Sequence, residues 1–165
     1  MRQAREDLFR LIEPLLPLVE KPSRYLNHEW GAIEDQPGPF HACLIYPDAY
    51  EVGQPNLGIS ILYDALNAAE GISCERCYLP WCDMAGLMRE RHVPLLALES
   101  AAPVASFDLV GFTLAHELVA TNIVETLDLA GIPVHASERT EDDAVVIAGG
   151  PSVWNAEPLA PMFDA

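Results

Sequence analysis

A loop rich in proline, aspartate, glycine and asparagine holds the residues whose types and spacing could bind a ligand. It runs from Pro47 to Asn56, between an apolar segment, 41–46, that is predicted as a strand and a helix-period run that begins at Leu57. In an open α/β sheet, ligands bind outside the carboxyl ends of the strands. The loop is therefore the first candidate for a binding site.

The glycine-rich patterns that bind phosphate groups are absent from this loop. Neither G-x-G-x-x-G nor G-x-x-x-x-G-K-[ST] follows the first strand, which disfavours dinucleotide-binding and P-loop proteins. Asp48-x-Tyr50-x-x-Gly53 stands there instead. Thr113 and the pair Gly149-Gly150 end two later apolar segments, so we expect them at the same edge of the sheet.

Apolar strands and amphipathic helices alternate after residue 39. Strands are predicted over 41–46, 72–79, 108–114, 132–135 and 144–148, with a brief extended piece over 95–98. Helices are predicted over 57–69, from 83 to about 92, from about 117 to 130 and from 157 to about 163. Nearly continuous apolar strands joined by helices predict an open, mostly parallel sheet covered on both faces. The fold class is therefore α/β and Rossmann-like.

Local signals fix the expected ends and faces of these helices. Asn56, Asp83 and Asn155 are predicted N-caps, and Gly71 and Gly131 are predicted stops. The helix over 57–69 has an apolar stripe that we expect to face the core, formed by Ile61, Leu62, Ala65, Leu66 and Ala69.

Two regions are predicted: residues 1–39 as an N-terminal helix and linker, and residues 40–165 as the Rossmann-like domain. Apolar residues of 3–19 have helical spacing that Pro14 and Pro17 interrupt. A final helix in such a fold normally leads to another parallel strand, yet the sequence stops at Ala165. We therefore expect a domain truncated before its final strand.

The composition excludes several classes of partner. Nine Lys and Arg residues against 25 Asp and Glu residues give a net charge of −16, which disfavours direct binding of nucleic acid or of an anionic membrane. No apolar run approaches the ~20 residues of a membrane span, and no signal peptide is recognisable, so we expect a cytoplasmic protein.

Four cysteines are present, at positions 43, 74, 77 and 82. Cys74-x-x-Cys77 could indicate a metal site, but both residues lie in a predicted strand and no second pair follows. We interpret the four as reduced, mostly structural thiols.

The polar positions at the strand ends match a known pattern in part. Cobalamin-binding Rossmann domains carry D-x-H-x-x-G, S-x-L and G-G motifs at these places, and their histidine is the lower cobalt ligand. Here Tyr50 stands at the histidine position, and Ala115 at the Leu of S-x-L. The resemblance implies a cobalamin-binding-domain-like fold without catalytic residues or protein metal ligands. The cofactor-binding positions that it implies are Asp48, Tyr50, Gly53, Asn56, Gly58, Thr113, Gly149 and Gly150.

A second set of short phrases spans nearly the whole chain. They are Lys21-Pro22-x-Arg24-Tyr25, Pro47-Asp48-x-Tyr50-Glu51-x-Gly53, Asn56-Leu57-Gly58, Ile61-Leu62-Tyr63, Glu75-Arg76, Asp83-Met84, Gly111-Phe112, Glu117-Leu118, Thr121-Asn122-Ile123, Gly131-Ile132-Pro133, Gly149-Gly150-Pro151 and Asn155-x-Glu157-Pro158-Leu159. On these phrases the chain resembles the N-terminal domain of a family of cobalamin-binding-domain radical SAM proteins of poorly defined function. The resemblance implies a partner in the same parent chain: a C-terminal radical SAM domain with a C-x-x-x-C-x-x-C motif. That domain, and not this segment, would hold a [4Fe-4S] cluster and S-adenosylmethionine.

Tyr50 leaves two functions open for such a module. A phenol has a pKa of about 10 and lacks the imidazole lone pair, so it is a poor cobalt ligand. Cobalamin could bind without a protein ligand, or the domain could be a scaffold that keeps the fold and binds no cobalamin. A free-standing flavodoxin-like module is a third, weaker alternative. Tyr50 and Glu51 could equally fix the loop by hydrogen bonds, and Arg24 could form a structural ion pair.

Overall fold

A four-stranded parallel sheet forms the centre of the molecule. The computed structural model describes residues 8–27, 29, 31–32 and 38–165. The strands are β1 (Phe40–Tyr46), β2 (Ile72–Tyr78), β3 (Leu109–Thr113) and β4 (Val145–Gly149), in the order β2-β1-β3-β4. All neighbouring pairs are parallel, which confirms the predicted α/β, Rossmann-like fold. The order reverses between β1 and β3, and in such sheets this switch point is where ligands bind.

Among the residues that the structure describes, four α-helices pack against this sheet: α1 (Tyr50–Gly53), α2 (Leu57–Asn67), α3 (Cys82–Arg91) and α4 (Ala120–Ala130). One face of the sheet packs with α3 and α4 in a core that includes Cys43, Ile45, Cys77, Met84, Val110, Ile123 and Leu127. The opposite face packs with α2 in a smaller cluster of Ala42, Leu44, Tyr63 and Cys74. Alternation along each strand sends neighbouring side chains to opposite faces, which separates the two cores.

Local signals correctly predicted two helix ends. The Asn56 side chain accepts a hydrogen bond from the Ile59 N–H and caps α2. Gly131 ends α4 with a positive φ of 73°, a conformation that glycine adopts without steric cost. Asp83, however, is not a cap, because α3 begins one residue earlier, after Trp81.

The predicted apolar stripe of α2 is wrong except for Leu66, which packs against the smaller cluster. Its buried residues are Ile59, Tyr63 and Asn67, whereas Ile61 and Leu62 are 56% and 51% exposed. Asn67 accounts for the difference: its amide donates to the Cys74 carbonyl and its Oδ1 accepts from the Cys74 N–H. These bonds pair the backbone of an edge strand, and they turn the helix so that Asn67 faces β2.

Two predicted elements are absent from the described chain. Residues 132–135 form a loop after α4, and not a strand. The predicted final helix over 157–163 is replaced by 3₁₀ turns, Pro151–Asn155 and Ala160–Met162, so Asn155 caps no helix. Prolines 151, 158 and 161 lack the N–H that an α-helix requires, which favours short turns. The extended piece over 95–98 contributes one isolated antiparallel bridge, Leu96 to Pro103.

The N-terminal segment packs on the domain as short turns. Glu13–Leu18 and Pro22–Tyr25 are 3₁₀ helices, since Pro14, Pro17 and Pro22 interrupt regular helix. Leu15 and Val19 are buried in the larger core. Residues 1–7 of the predicted helix lie outside the described residues.

The outer edge of β4 is hydrogen-bonded to the last two residues. The Asp164 N–H donates to the Val146 carbonyl (2.8 Å), and the Ala148 N–H donates to the Ala165 carbonyl (3.0 Å). The Asp164 carboxylate accepts from the Val146 N–H and forms an ion pair with Arg139. The bonded positions rise together, from 146 to 148 in β4 and from 164 to 165 beside it, so residues 164–165 run parallel to β4. Among all the residues that the structure describes, no helix is long and apolar enough to cross a bilayer.

Candidate functional site

The loop after β1 is held from two sides. The Leu79 N–H donates to the Asp48 carbonyl (3.0 Å), and the Asn122 side chain donates to the Pro47 carbonyl (2.8 Å). The Asp48 carboxylate accepts from the N–H of Ala49, its own neighbour in the chain (2.7 Å). The loop is therefore braced by the segment after β2 and by the start of α4.

Tyr50 points toward β2. Its ring packs edge-on against Tyr78, with 5.4 Å between the ring centroids. Burial and then the neighbouring Glu29 carboxylate raise the pKa of Tyr50, which keeps the phenol protonated at neutral pH. A Cβ on Gly53 would lie 2.6 Å from the Tyr78 ring. Gly53 is thus required for the packing of Tyr78 and, through it, for the position of Tyr50.

A buried ionic cluster lies on this side of the sheet. Arg76 Nε is 2.7 Å from Glu99 Oε1, and Arg76 Nη1 is 2.7 Å from Glu29 Oε2. The guanidinium also stacks over the Tyr63 ring at 4.5 Å. Burial raises the pKa of Glu99 to about 7, although the Arg76 charge opposes the shift. The cluster ties residue 29 of the N-terminal segment to β2 and to the segment before β3.

Several buried polar atoms of the described chain have no hydrogen-bond partner. They are Arg76 Nη2, Tyr78 Oη, Glu29 Oε1 and both amide atoms of Asn27. An unpaired buried polar group costs roughly 1–3 kcal/mol, so we expect ordered water at these atoms.

The N-terminal segment is clamped onto the β1 loop. Glu51 forms ion pairs with Lys21 and Arg24, and Lys21 is the main cause that lowers the pKa of Glu51 to about 2. Arg24 stacks over the Trp81 ring at 5.0 Å, and the Trp81 N–H donates to the Tyr25 hydroxyl. Arg24 is therefore a structural ion-pair residue here. Arg24 and Tyr25 of this segment also line a cavity of about 50 Å³, together with Tyr50, Tyr78, Met84 and Met88.

Three of the predicted site positions meet at the carboxyl ends of β3 and β4. Thr113 is in register with Gly149, and the Leu114 N–H donates to the Gly149 carbonyl (2.7 Å). Gly150 has a φ of 113°, and a Cβ there would lie 2.8 Å from the Leu114 carbonyl oxygen. Around Gly149, by contrast, a Cβ would meet no atom within 4 Å. Gly150 therefore lies directly against the backbone of Leu114 in the loop after β3, whereas the space beside Gly149 is open.

Asp48 lines a different cavity, on the α3–α4 side of the sheet. This cavity has a volume of about 350 Å³, and its polar lining comes from Asp48, Trp81, Cys82, Thr121, Asn122 and Glu125. The structure thus distributes the eight predicted positions over four places: this cavity, the Tyr78 contact, the β3–β4 ends, and the start of α2 with Asn56 and Gly58.

The ionic cluster was missed from the sequence. Arg76 and Glu75 stand within an apolar strand, 72–79, and charged residues there are a signal that a buried pair is needed. The partners Glu29 and Glu99 are 47 and 23 residues away in the sequence. Only the fold identifies them.

The cysteines do not form a shared metal site among the described residues. Cys74 and Cys77 are three residues apart on one strand, so their side chains lie on opposite faces of the sheet, in different cores. No group of three His, Cys, Asp or Glu residues of the described chain could hold a metal ion. The thiols of Cys43, Cys74 and Cys77 are free and buried.

Comparison with known proteins gives one family. The model of the family described as radical SAM proteins, N-terminal, matches residues 58–165, more than half of the chain. The match begins at Gly58, so the loop from Pro47 to Asn56 lies outside it. No curated protein and no solved structure matches.

Proposed function

This chain belongs to the family of radical SAM N-terminal domains, and we propose on that premise that it is a noncatalytic scaffold module of a radical SAM enzyme. In this proposal it keeps the Rossmann-like fold and supports the C-terminal radical SAM region of the parent chain. In this proposal the [4Fe-4S] cluster and S-adenosylmethionine are bound by that C-terminal region. Residues 40–165 would form the module, with residues 1–39 as its N-terminal extension.

The observation that carries the proposal is the position of Tyr50. This residue occupies the histidine position of the D-x-H-x-x-G pattern, and its ring packs on Tyr78 in the half-buried region beside Glu29. A protonated phenol is a poor ligand for cobalt, and the surroundings of Tyr50 favour the protonated form. The residues present therefore do not fit a corrin that is ligated by the protein. The ion pairs of Glu51 with Lys21 and Arg24 support a structural role for the same loop.

A second candidate is cobalamin bound without a protein ligand. Two observations favour it: Thr113, Gly149 and Gly150 meet at one edge with open space at Gly149, and Asp48 lines a cavity of about 350 Å³. Ligands of open α/β sheets bind at this edge. The candidate requires contacts to the corrin side chains and nucleotide tail in place of a bond to cobalt.

Titration of the full-length parent protein with hydroxocobalamin tests both candidates. For the scaffold, we expect no change in the visible spectrum and no corrin retained on gel filtration. Retention of corrin by the parent and by its Tyr50→Phe variant alike would replace the scaffold with the second candidate. If Tyr50→Phe alone abolished retention, the phenol would be a ligand and both candidates would be wrong. Val52→Ala, at a position of the same loop that is 48% exposed and outside the predicted site, is the matched control for general effects on the loop.

A further inference from the structure

Part of the N-terminal segment lies against the β1 loop and the end of β2, and we call residues 20–27 together with Glu29 the strap. Val19, just before the strap, is buried in the larger core, whereas Asn27 is the only buried residue of 20–27. Mostly polar contacts hold the strap: its ion pairs with Glu51, the bond from the Glu20 N–H to Asp83 (2.8 Å) and the bond from the Trp81 N–H to Tyr25 (3.2 Å). A segment that buries so little apolar surface can open without unfolding the domain.

The strap ends at a buried cluster of three charges. Arg76 binds Glu29 of the strap through Nη1 and Glu99 through Nε, at 2.7 Å each. All three side chains are at least nine-tenths buried. With both carboxylates ionised the cluster would carry one negative charge in excess, and an uncompensated buried charge is costly. A carboxylate in such a place therefore binds a proton at a higher pH than one in water.

Glu99 is the carboxylate that binds this proton. Burial raises the pKa of Glu99 to about 7, although the charge of Arg76 opposes the shift. Arg76 is the only cation among the charged and titratable groups of the described chain that surround Glu99. The others are Glu75, Cys74 and Tyr78 of β2, Cys43 of β1, Tyr63 of α2, which stacks over Arg76, and Glu29, which shares Arg76 with Glu99.

The two carboxylates hold Arg76 unequally. Glu99 accepts from both Nε and the backbone N–H of Arg76, and its neighbours Leu98 and Ser100 are hydrogen-bonded to β2 as well. Glu29 is paired with Nη1 alone, and its Oε1 has no hydrogen-bond partner among the described atoms. When Glu99 is ionised, it repels Glu29 and keeps Arg76. Glu29 is therefore the group that leaves the cluster.

We propose that the strap is a pH-sensitive lid, which is closed over Tyr50 and its neighbouring cavity while Glu99 is protonated and opens when Glu99 is ionised. The Glu29 carboxylate lies beside Tyr50, and Arg24 and Tyr25 line the cavity of about 50 Å³. Because the closed state holds the proton, a rise of pH through about 7 favours the open state. Opening uncovers the loop after β1 and an apolar cavity at the end of β2.

Hydroxyl-radical footprinting of the full-length protein at pH 6 and pH 8 tests this proposal. Tyr25 and Met88 are the reporters, because both line the cavity under the strap. We expect their oxidation rates to rise at least about threefold from pH 6 to pH 8, as for groups that a local opening exposes. Met162, half-buried and outside the cavity, gives the radical dose, and the buried Phe112 of β3 should stay unoxidised at both pH values. Unchanged rates at Tyr25 and Met88 would overturn the proposal, as would an equal rise at Phe112, which would show global unfolding.

Three variants separate the switch from a general weakening of ion pairs. Glu99→Gln cannot become charged and Glu29→Gln cannot be repelled, so both should abolish the rise. Glu51→Gln is the matched control: it removes the ion pairs of the strap outside the cluster, and the pKa of Glu51, about 2, excludes its titration in this range. It should increase oxidation at both pH values and keep the rise.

A rise that persists in Glu99→Gln, or one that Glu51→Gln alone abolishes, would overturn the proposal. The comparison of the wild-type protein at the two pH values decides the matter even where a variant fails to fold. Either result leaves the proposed function unchanged, because neither the scaffold nor the cobalamin candidate requires a moving strap.

Discussion

Single side chains decide what the β1 loop can do. Tyr50 could in principle face the open edge of the sheet, where a ligand would sit, but its ring packs against Tyr78 on the β2 side. Glu51, its neighbour, binds Lys21 and Arg24 of the N-terminal segment. Tyr50, which the motif would assign to a cofactor, and its neighbour Glu51 therefore both contact other parts of the chain.

The buried pair of Arg76 and Glu99 gives a pH-dependent contribution to stability. Burial raises the pKa of Glu99 to about 7, above its value of about 4.3 in an unfolded chain. Between these values the folded state binds more protons, so the free energy of unfolding falls as the pH rises through this window and levels off above about 7. Glu99→Gln removes this dependence. Because the variant keeps the same stability across this window while the wild-type chain loses stability as the pH rises, the loss caused by Glu99→Gln should be larger at pH 5 than at pH 8, by roughly 2–4 kcal/mol.

Urea denaturation of both proteins at pH 5 and pH 8 measures this difference. Glu141→Gln, at an exposed turn, is the control and should change neither value. An equal loss at both pH values would show that Glu99 stays ionised throughout.

Helices and strands set the positions of these side chains through close contacts. Tyr78, at the end of β2, packs directly against the backbone of α1 at Gly53. Asn67, at the end of α2, pairs with the edge of β2. Each contact joins an element to its neighbour in the sheet, so each should be visible as a loss of stability when it is removed.

Gly53→Ala should destabilise the domain by about 1–3 kcal/mol, because the added methyl would lie 2.6 Å from the Tyr78 ring and 2.9 Å from Tyr46. Gly149→Ala is the matched control, since its methyl would enter open space. Urea midpoints of both variants provide the measurement. Loss of stability in Gly149→Ala alone would contradict the assigned packing.

Asn67→Ala should cost more than Asn56→Ala, although both remove an asparagine from the same helix. The cap lost in Asn56→Ala is worth about 1 kcal/mol. Asn67→Ala leaves the Cys74 N–H and carbonyl without their partners in a buried place, at roughly 1–3 kcal/mol each. Thermal unfolding of the two variants ranks them. The reverse order would mean that water replaces the Asn67 amide at the edge of β2.

The molecule as a whole is acidic. A net charge of −16 on 165 residues makes like-charge repulsion a general cost of the compact state.

Salt should therefore stabilise this chain. Raising NaCl from 0.01 M to 1 M shortens the screening length from about 30 Å to about 3 Å, which weakens the repulsion among the acidic residues. We expect the melting temperature to rise by a few degrees in scanning calorimetry. A melting temperature that falls with salt would show that attractive pairs, such as those of Glu51, outweigh the net repulsion.

Patterns that are local in the chain predicted the framework of this protein. The strand–helix alternation, the Asn56 cap, the Gly131 stop and the strand through Cys74 and Cys77 depend on residues a few positions apart, so they could be seen in the sequence. The family resemblance was likewise carried by short phrases, and the match over 58–165 confirms it. In the proline-rich segment after Gly150, apolar spacing predicts a helix, but the missing N–H groups of the prolines favour the observed 3₁₀ turns.

Contacts between distant segments determined the rest. The face of α2 that packs on the sheet depends on Asn67 meeting Cys74, and the partners of Arg76 come from residues 29 and 99. The direction of Tyr50 depends on Tyr78, which the β1–β2 pairing places beside it. A motif specifies which residue stands at a strand end, but the neighbours that desolvate it or bond to it are chosen by chain topology. For that reason the sequence indicated which residues stand in the loop after β1, and only the folded chain shows which neighbours contact them.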